Sequence, residues 1–231
     1  WKNIPWGLTP LAMLLLLLHE RTREYWPSTE YPDAYQVQAA AALGMQLWLW
    51  LLVGSLDNAG QATPLPFIPL LNPLELSQLA VLLFLWRWLL GRDPEDSVFP
   101  RPLVRVVIAG TVFIWLNAVL ARAVHHIQGT AFRLESMLAS GLYQTCLSIL
   151  WVLLSLILMV IAGRRQSRPI WFMGSLLIGL TVGKLFLVEL AGSGAVERII
   201  SFLAVGILLM VIGYFAPLPP ARETEQEEEN P

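Results

Sequence analysis

Thr181-Val-Gly-Lys-Leu-Phe-Leu-Val-Glu189, followed by Ala191-Gly-Ser-Gly-Ala195 and Glu197-Arg198-Ile-Ile-Ser-Phe202, sets a lysine inside a run that is otherwise apolar enough to span a membrane. A charge at that depth costs about 2.5–3.5 kcal/mol on insertion scales, so the lysine needs a partner or a route to the surface. If Gly192-Ser193-Gly194 turns the chain back, two antiparallel helices bring Glu189 level with Glu197 and Arg198, and Lys184 level with Ser201 and Phe202. Glu189 and Arg198 are then expected to form a structural ion pair near the membrane surface. Lys184 has no acid on that hairpin and has to find its partner on another helix.

Outward from this stretch, the composition agrees with a membrane protein. The chain is 56% hydrophobic and 14% charged, and its apolar runs repeat at spanning length. That describes an all-α, polytopic helical bundle and excludes a soluble domain. The net charge of −2 carries little information, because Glu223, Glu225, Glu227, Glu228 and Glu229 in the tail offset arginines elsewhere. The single cysteine, Cys146, lies in an apolar run, which rules out a disulfide framework and leaves a packed thiol. Residue 1 is Trp and no n-region precedes the first apolar run, so the N-terminus reads as a cut or processed end of something longer.

Seven spans are expected, at Ile4 to about Leu18, Val37 to Leu56, Pro73 to about Leu90, Leu103 to about Val124, Leu138 to Gly163, Ile170 to Leu190 and Val196 to Phe215. They make one bundle over residues 1–216, and residues 217–231 read as a disordered acidic tail. The second span opens on small residues (Ala39 to Ala42, then Gly44), which permit close helix packing. The loop from Asp57 to Asn72 has no basic residue, carries Pro64, Pro66 and Pro69 among Phe67, Ile68, Leu70 and Leu71, and reads as lying along the interface or re-entering. Asn72-Pro73-Leu74-Glu75 supplies an N-cap, a proline at N1 and a glutamate at N3, the signature of a helix start. In the sixth span Ser175, Gly179 and Gly183 recur every four residues, a stripe that would let another helix approach.

Charge sets the orientation. One side of a seven-span chain collects Arg21, Arg23, Arg87, Arg92, Arg101, Arg105, Arg164, Arg165, Arg168 and Arg222, ten of the 15 cationic residues; Lys2, Arg122, Arg133, Lys184 and Arg198 make up the other five. The positive-inside rule puts the ten-residue side in the cytoplasm, with the tail inside and the N-terminus outside.

The polar residues hardest to account for then collect toward the outer face. Arg122, His125 and His126 have i, i+3, i+4 spacing and share a helical face if the helix continues. Asn117 and Lys184 lie deeper, Glu75 opens the third span, and Arg133 with Glu135 follows the fourth. Arg122, Lys184, Asn117, Glu75 and Arg133 are candidate ligand-binding residues, and His125 or His126 is a candidate acid or base. Each has a plainer reading: a capping box for Glu75, snorkelling for Lys184, interfacial hydrogen bonds for the histidines. Adjacent histidines on a helix diverge, so no metal site is expected, and no cofactor. The chain lacks a Gly-x-Ser-x-Gly elbow, a P-loop, His-Glu-x-x-His and a dinucleotide fingerprint, and its basic residues are scattered, which speaks against nucleic acid.

Phe67-Ile-Pro-Leu-Leu-Asn-Pro-Leu-Glu75, Leu120-Ala-Arg-Ala-Val-His-His126, the Trp151 span, and Lys184-Leu-Phe-Leu-Val-Glu189 with Arg198-Ile-Ile-Ser-Phe202 resemble the C-terminal region of a large bacterial family of predicted membrane proteins, domain of unknown function 2339. The resemblance covers about Pro64 to Tyr214 and implies a longer protein with further spans before this region; it implies no activity. Three functions remain open. The first is a binding or transport-related envelope module with an outward polar cluster. The second is a membrane-embedded enzyme acting on an outer-face lipid- or glycan-linked substrate. The third is a structural module packing against further spans or a partner.

Overall fold

The computed structural model describes residues 2–19, 22, 24–91 and 100–185, with 206, 207, 210, 213 and 214. Among these the chain is all-helical. Helix α1 covers Ile4–Leu18 and α2 covers Asp33–Asp57, the latter π-wound over Asp33–Ala39 and α-helical from Ala40. Then come α3 (Pro73–Leu90), α4 (Arg101–Gln128), the short α5 (Leu134–Ala139), α6 (Gly141–Arg165) and α7 (Arg168–Lys184).

Four of these, α2, α3, α4 and α6, are long and apolar enough to cross a membrane, and α1 is apolar at 15 residues. Helices thus lie at the first five expected spans and at the sixth as far as it is described, although α1 and α7 are shorter than the other four. The Gly192-Ser193-Gly194 turn, most of the seventh span and the acidic tail lie outside the described residues, and so does the Glu189–Arg198 pair.

Packing divides the chain into two units, Trp1–Tyr143 and Gln144–Pro231. In the first, α1 to α4 run up, down, up, down. Trp50 near the end of α2 donates its indole N–H to the carbonyl of Asn3 at the start of α1, and Arg122 near the end of α4 reaches both the end of α2 and the start of α3. The apolar centre is Leu14, Leu47, Leu51 and Val81, all fully buried, with Leu85 and Trp115. Close approach comes from glycine set against tryptophan: a Cβ on Gly44 would lie 2.6 Å from the Trp88 ring, and one on Gly7 equally close to Trp50. The small residues that open α2 therefore do serve packing, through buried Ala40 and Gly44. Trp48 ties α2 to α4 by donating to Thr111 Oγ1 at 2.9 Å.

In the second unit α6 and α7 meet through Gly174, not through the expected stripe. Ser155 donates its hydroxyl to the Gly174 carbonyl at 2.7 Å, and a Cβ on Gly174 would stand 2.9 Å from Met159 Cγ. Ile178 and Thr181 continue this buried face. A Cβ on Gly179 or Gly183 would meet nothing within 4 Å among the described residues, so the four-residue recurrence lies off the face that packs on α6. Periodicity located the small residues; it could not say which of two neighbouring glycine rows faces a partner.

Candidate functional site: a buried polar cluster at one end of the first unit

The connection between α2 and α3 is built around Arg122. Its side chain has no solvent exposure, and neither has that of Glu75. Arg122 Nε donates to the Asn58 carbonyl at 2.8 Å, Nη2 to the Gly54 carbonyl at 2.7 Å, and Nη1 to Gln78 Oε1 at 3.1 Å. Nη1 also faces Glu75 Oε1 at 3.7 Å. Gly54 and Asn58 lie at the C-terminal end of α2, where carbonyls run out of helical partners and the helix dipole favours a cation. The planar guanidinium, with donors fixed in several directions, can meet two such carbonyls and two side chains at once; a lysine could not.

Glu75 turns its other oxygen the opposite way. Its Oε2 accepts the backbone N–H of Leu70 at 2.6 Å. The helix-start reading holds for Asn72, whose Oδ1 accepts from Leu74 N at 2.9 Å, and for Pro73 at the first helical position. It changes for Glu75: a capping box would send the carboxylate to the N-cap residue's own N–H, whereas it binds Leu70, two residues further back, and pairs with Arg122. Leu70 has φ of 68°, a left-handed backbone that costs a non-glycine residue about 1–2 kcal/mol, so the carboxylate holds a turn that leucine does not favour.

More bonds fasten the same connection. Asn72 Nδ2 donates to the Gly60 carbonyl, and Gly60 N–H donates to Asn58 Oδ1 at 2.9 Å. His126 Nε2 bonds the Ala59 carbonyl at 2.9 Å, and its ring stacks on Phe67 with centroids 4.0 Å apart. His125 Nδ1 bonds the Thr130 carbonyl at 2.6 Å, in the next connection. A carbonyl can only accept, so each of these ring nitrogens carries the hydrogen. Gln78 Nε2 makes long contacts, 3.5 Å, to the Leu51 carbonyl and Ser55 Oγ.

The candidates of the sequence thus fall into three groups. Arg122, Glu75, His125 and His126 gather at one end of the four-helix unit, as their spacing and positions suggested. Asn117 donates within its own helix to Phe113 O at 2.7 Å, and Arg133 is exposed at the cap of α5. Lys184, in the second unit, donates to the Gln144 carbonyl at 2.8 Å and to Ser148 Oγ at 2.7 Å, both on α6. The lysine therefore turns toward a neighbouring helix. Gln78, Asn58 and Asn72 belong to the cluster although the sequence reading gave them no site role. Gln78 lies three residues from Glu75 on α3, a shared helical face that could have pointed to it.

A cavity beside the cluster, bordered by Asn58, Gly60, Asn72 and Leu74, holds about 10 Å³, the room of a single water. Among the described residues no three His, Cys, Asp or Glu side chains come together as a metal would require.

Comparison with known proteins returned no match among curated proteins and none among solved structures. A family model does match, over residues 1–219, further toward the N-terminus than the Pro64–Tyr214 stretch that carries the resemblance in sequence. With apolar helices long enough to span a bilayer and a match across nearly its whole length, this multi-pass chain belongs to the predicted membrane protein family DUF2339.

Proposed function

We propose that the first unit is a structural module of a bacterial inner-membrane protein, in which the Arg122 cluster locks three spans, α2, α3 and α4, and the 58–72 connection into one fixed shape at the outer face. The observation that carries this reading is the state of Arg122: no exposure, and every guanidinium nitrogen directed at a protein oxygen. A ligand-binding arginine keeps donors aimed at open space. This one has spent them on Gly54, Asn58 and Gln78, with Glu75 balancing its charge, beside a cavity too small for a lipid headgroup or a sugar. His125 and His126, the candidates for acid–base chemistry, likewise hold backbone carbonyls. The outer placement and the cytoplasmic C-terminus rest on the ten-to-five division of cationic residues.

Ligand-induced stabilisation tests the proposal. Purified protein in detergent is heated with and without anionic phospholipids, undecaprenyl phosphate and short glycans, as wild type and as Arg122→Gln. A lock predicts a lower melting temperature for the variant and the same lipid-dependent increments in both proteins. A ligand that stabilises the wild type and leaves the folded variant unaffected would instead place Arg122 in a binding site.

A further inference from the structure

The α2–α3 connection carries an exposed apolar surface that the lock does not use. Leu65, Ile68, Leu70 and Leu71 are each about half or more exposed, and the surface continues onto Leu56 at the end of α2 and Leu76 at the start of α3. From Asn58 to Asn72 there is no charged side chain. We infer that this connection is an interfacial anchor, with Leu65, Ile68 and Leu71 inserted into the lipid at the boundary of the bilayer.

Lipid is the favoured occupant for three reasons. First, the apolar surface is continuous with the exposed apolar faces of α2 and α3, two helices long and apolar enough to span a bilayer, so it extends the surface that such helices turn to lipid. Second, part of the connection's polar backbone is already satisfied within the protein. Pro64, Pro66 and Pro69 have no N–H; the N–H groups of Gly60, Leu65, Leu70 and Leu71 are bonded to Asn58, Ala62, Glu75 and Ile68. The carbonyls of Asn58, Ala59 and Gly60 are taken by Arg122, His126 and Asn72. Irregular backbone is excluded from hydrocarbon because its unsatisfied groups are costly; here internal bonds and prolines remove part of that cost, which suits the segment to headgroup depth, where water still reaches the remaining groups, and not to the hydrocarbon core. Third, Leu70 retains an exposed leucine at a positive φ where glycine would be easier, which is understandable if the side chain itself has an apolar environment to enter.

The inference rests on the lock reading only for the rigidity of the connection, and the test reads depth, which melting experiments do not. In a Cys146→Ser background, single substitutions Leu65→Cys, Ile68→Cys and Leu71→Cys are labelled with an environment-sensitive fluorophore and reconstituted into phosphatidylethanolamine–phosphatidylglycerol vesicles. Leu83→Cys, on the outward side of α3, serves as the lipid reference and Thr29→Cys as the aqueous one. Insertion predicts blue-shifted emission and strong quenching by chain-brominated lipid at all three sites, deepest when the bromine is near the headgroup, with little loss to aqueous iodide. Iodide quenching at the level of Thr29→Cys overturns the inference, since the connection would then stand in water. Quenching by neither agent also overturns it and assigns the surface to a protein partner. The labelled positions are all exposed and Cys146, half-buried, is replaced by a serine of nearly the same size; a melting curve of the Cys146→Ser protein checks that the background folds, and loss of the lock would lower the melting temperature without altering this pattern.

Discussion

Arg122 Nη2 lies 2.7 Å from the carbonyl oxygen of Gly54, 68 residues earlier in the chain, so the end of α4 caps the end of α2. A helix C-terminus buried at a membrane boundary has few ways to satisfy its last carbonyls, because the headgroup region supplies water only at its surface. A cation brought in from another helix does so and couples the two helices.

Replacing Arg122 with Met keeps an apolar side chain in place but leaves Glu75 buried and unpaired, and the carbonyls of Gly54 and Asn58 without their donor. Breaking a buried pair in this way costs about 3–5 kcal/mol. Arg122→Met should therefore unfold at markedly lower denaturant in detergent, and Glu75→Gln with Arg122→Met should recover part of the loss by removing the stranded charge. Strict additivity of the two substitutions would show that the 3.7 Å pair carries no coupling.

How far this cluster could be read from the sequence depends on the kind of contact. Arg122, His125 and His126 were legible as one face because a helix fixes i, i+3 and i+4, and Asn72-Pro73 was legible because capping is local. What they hold was not. The Arg122 partners lie 44 to 68 residues away, and two of them are backbone carbonyls, which every residue possesses and no sequence pattern marks. The same limit applied to Glu75, whose bond to Leu70 depends on the turn that the connection takes. Lys184 required a partner on physical grounds, and among the described residues it meets oxygens on α6, the Gln144 carbonyl and Ser148 Oγ, which no spacing in the sequence marks.

The contact between α6 and α7 gives a prediction that separates two rows of glycine. A methyl at Gly174 would press on Met159 Cγ at 2.9 Å and on the Ser155 carbonyl at 3.1 Å, and overpacking of this kind costs about 1–3 kcal/mol. Gly179→Ala and Gly183→Ala meet open space among the described residues, and should leave stability unchanged or raise it by about 0.5–1 kcal/mol through helix propensity. Thermal melts of the three variants decide it. Destabilisation by Gly179→Ala with tolerance at Gly174 would return the packing face to the Ser175 stripe.

Orientation is open to a direct measurement. With the ten-to-five division of cationic residues as its basis, the Arg164–Arg168 turn and the acidic tail should share the cytoplasmic side. Fusions after Gly163 and after Pro217 to alkaline phosphatase should be inactive, and the same fusions to green fluorescent protein should fluoresce. Phosphatase activity at both junctions would reverse the topology and put the Arg122 cluster at the cytoplasmic face.

Lys184 offers the most exacting comparison, because its ammonium is tied to α6 through one side chain that can be removed without touching the lysine. Ser148 Oγ receives Lys184 Nζ at 2.7 Å, and Ser148 also donates to the Gln144 carbonyl at 3.0 Å, so the lysine joins a short chain of hydrogen bonds along α6. Hydrogen bonds between membrane helices contribute about 0.6–2 kcal/mol, and Ser148→Ala should cost that much while Lys184 is present. In a Lys184→Met background the serine has no ammonium to receive but keeps its bond to the Gln144 carbonyl, and the same Ser148→Ala change should cost less. The coupling between the two is the part of the serine's effect that the ammonium carries, which a double-mutant cycle in detergent or bicelles reads directly. If Ser148→Ala costs the same in both backgrounds, the Ser148–Lys184 bond contributes nothing in the membrane, and a role for the lysine's charge in binding an anion returns as the better account.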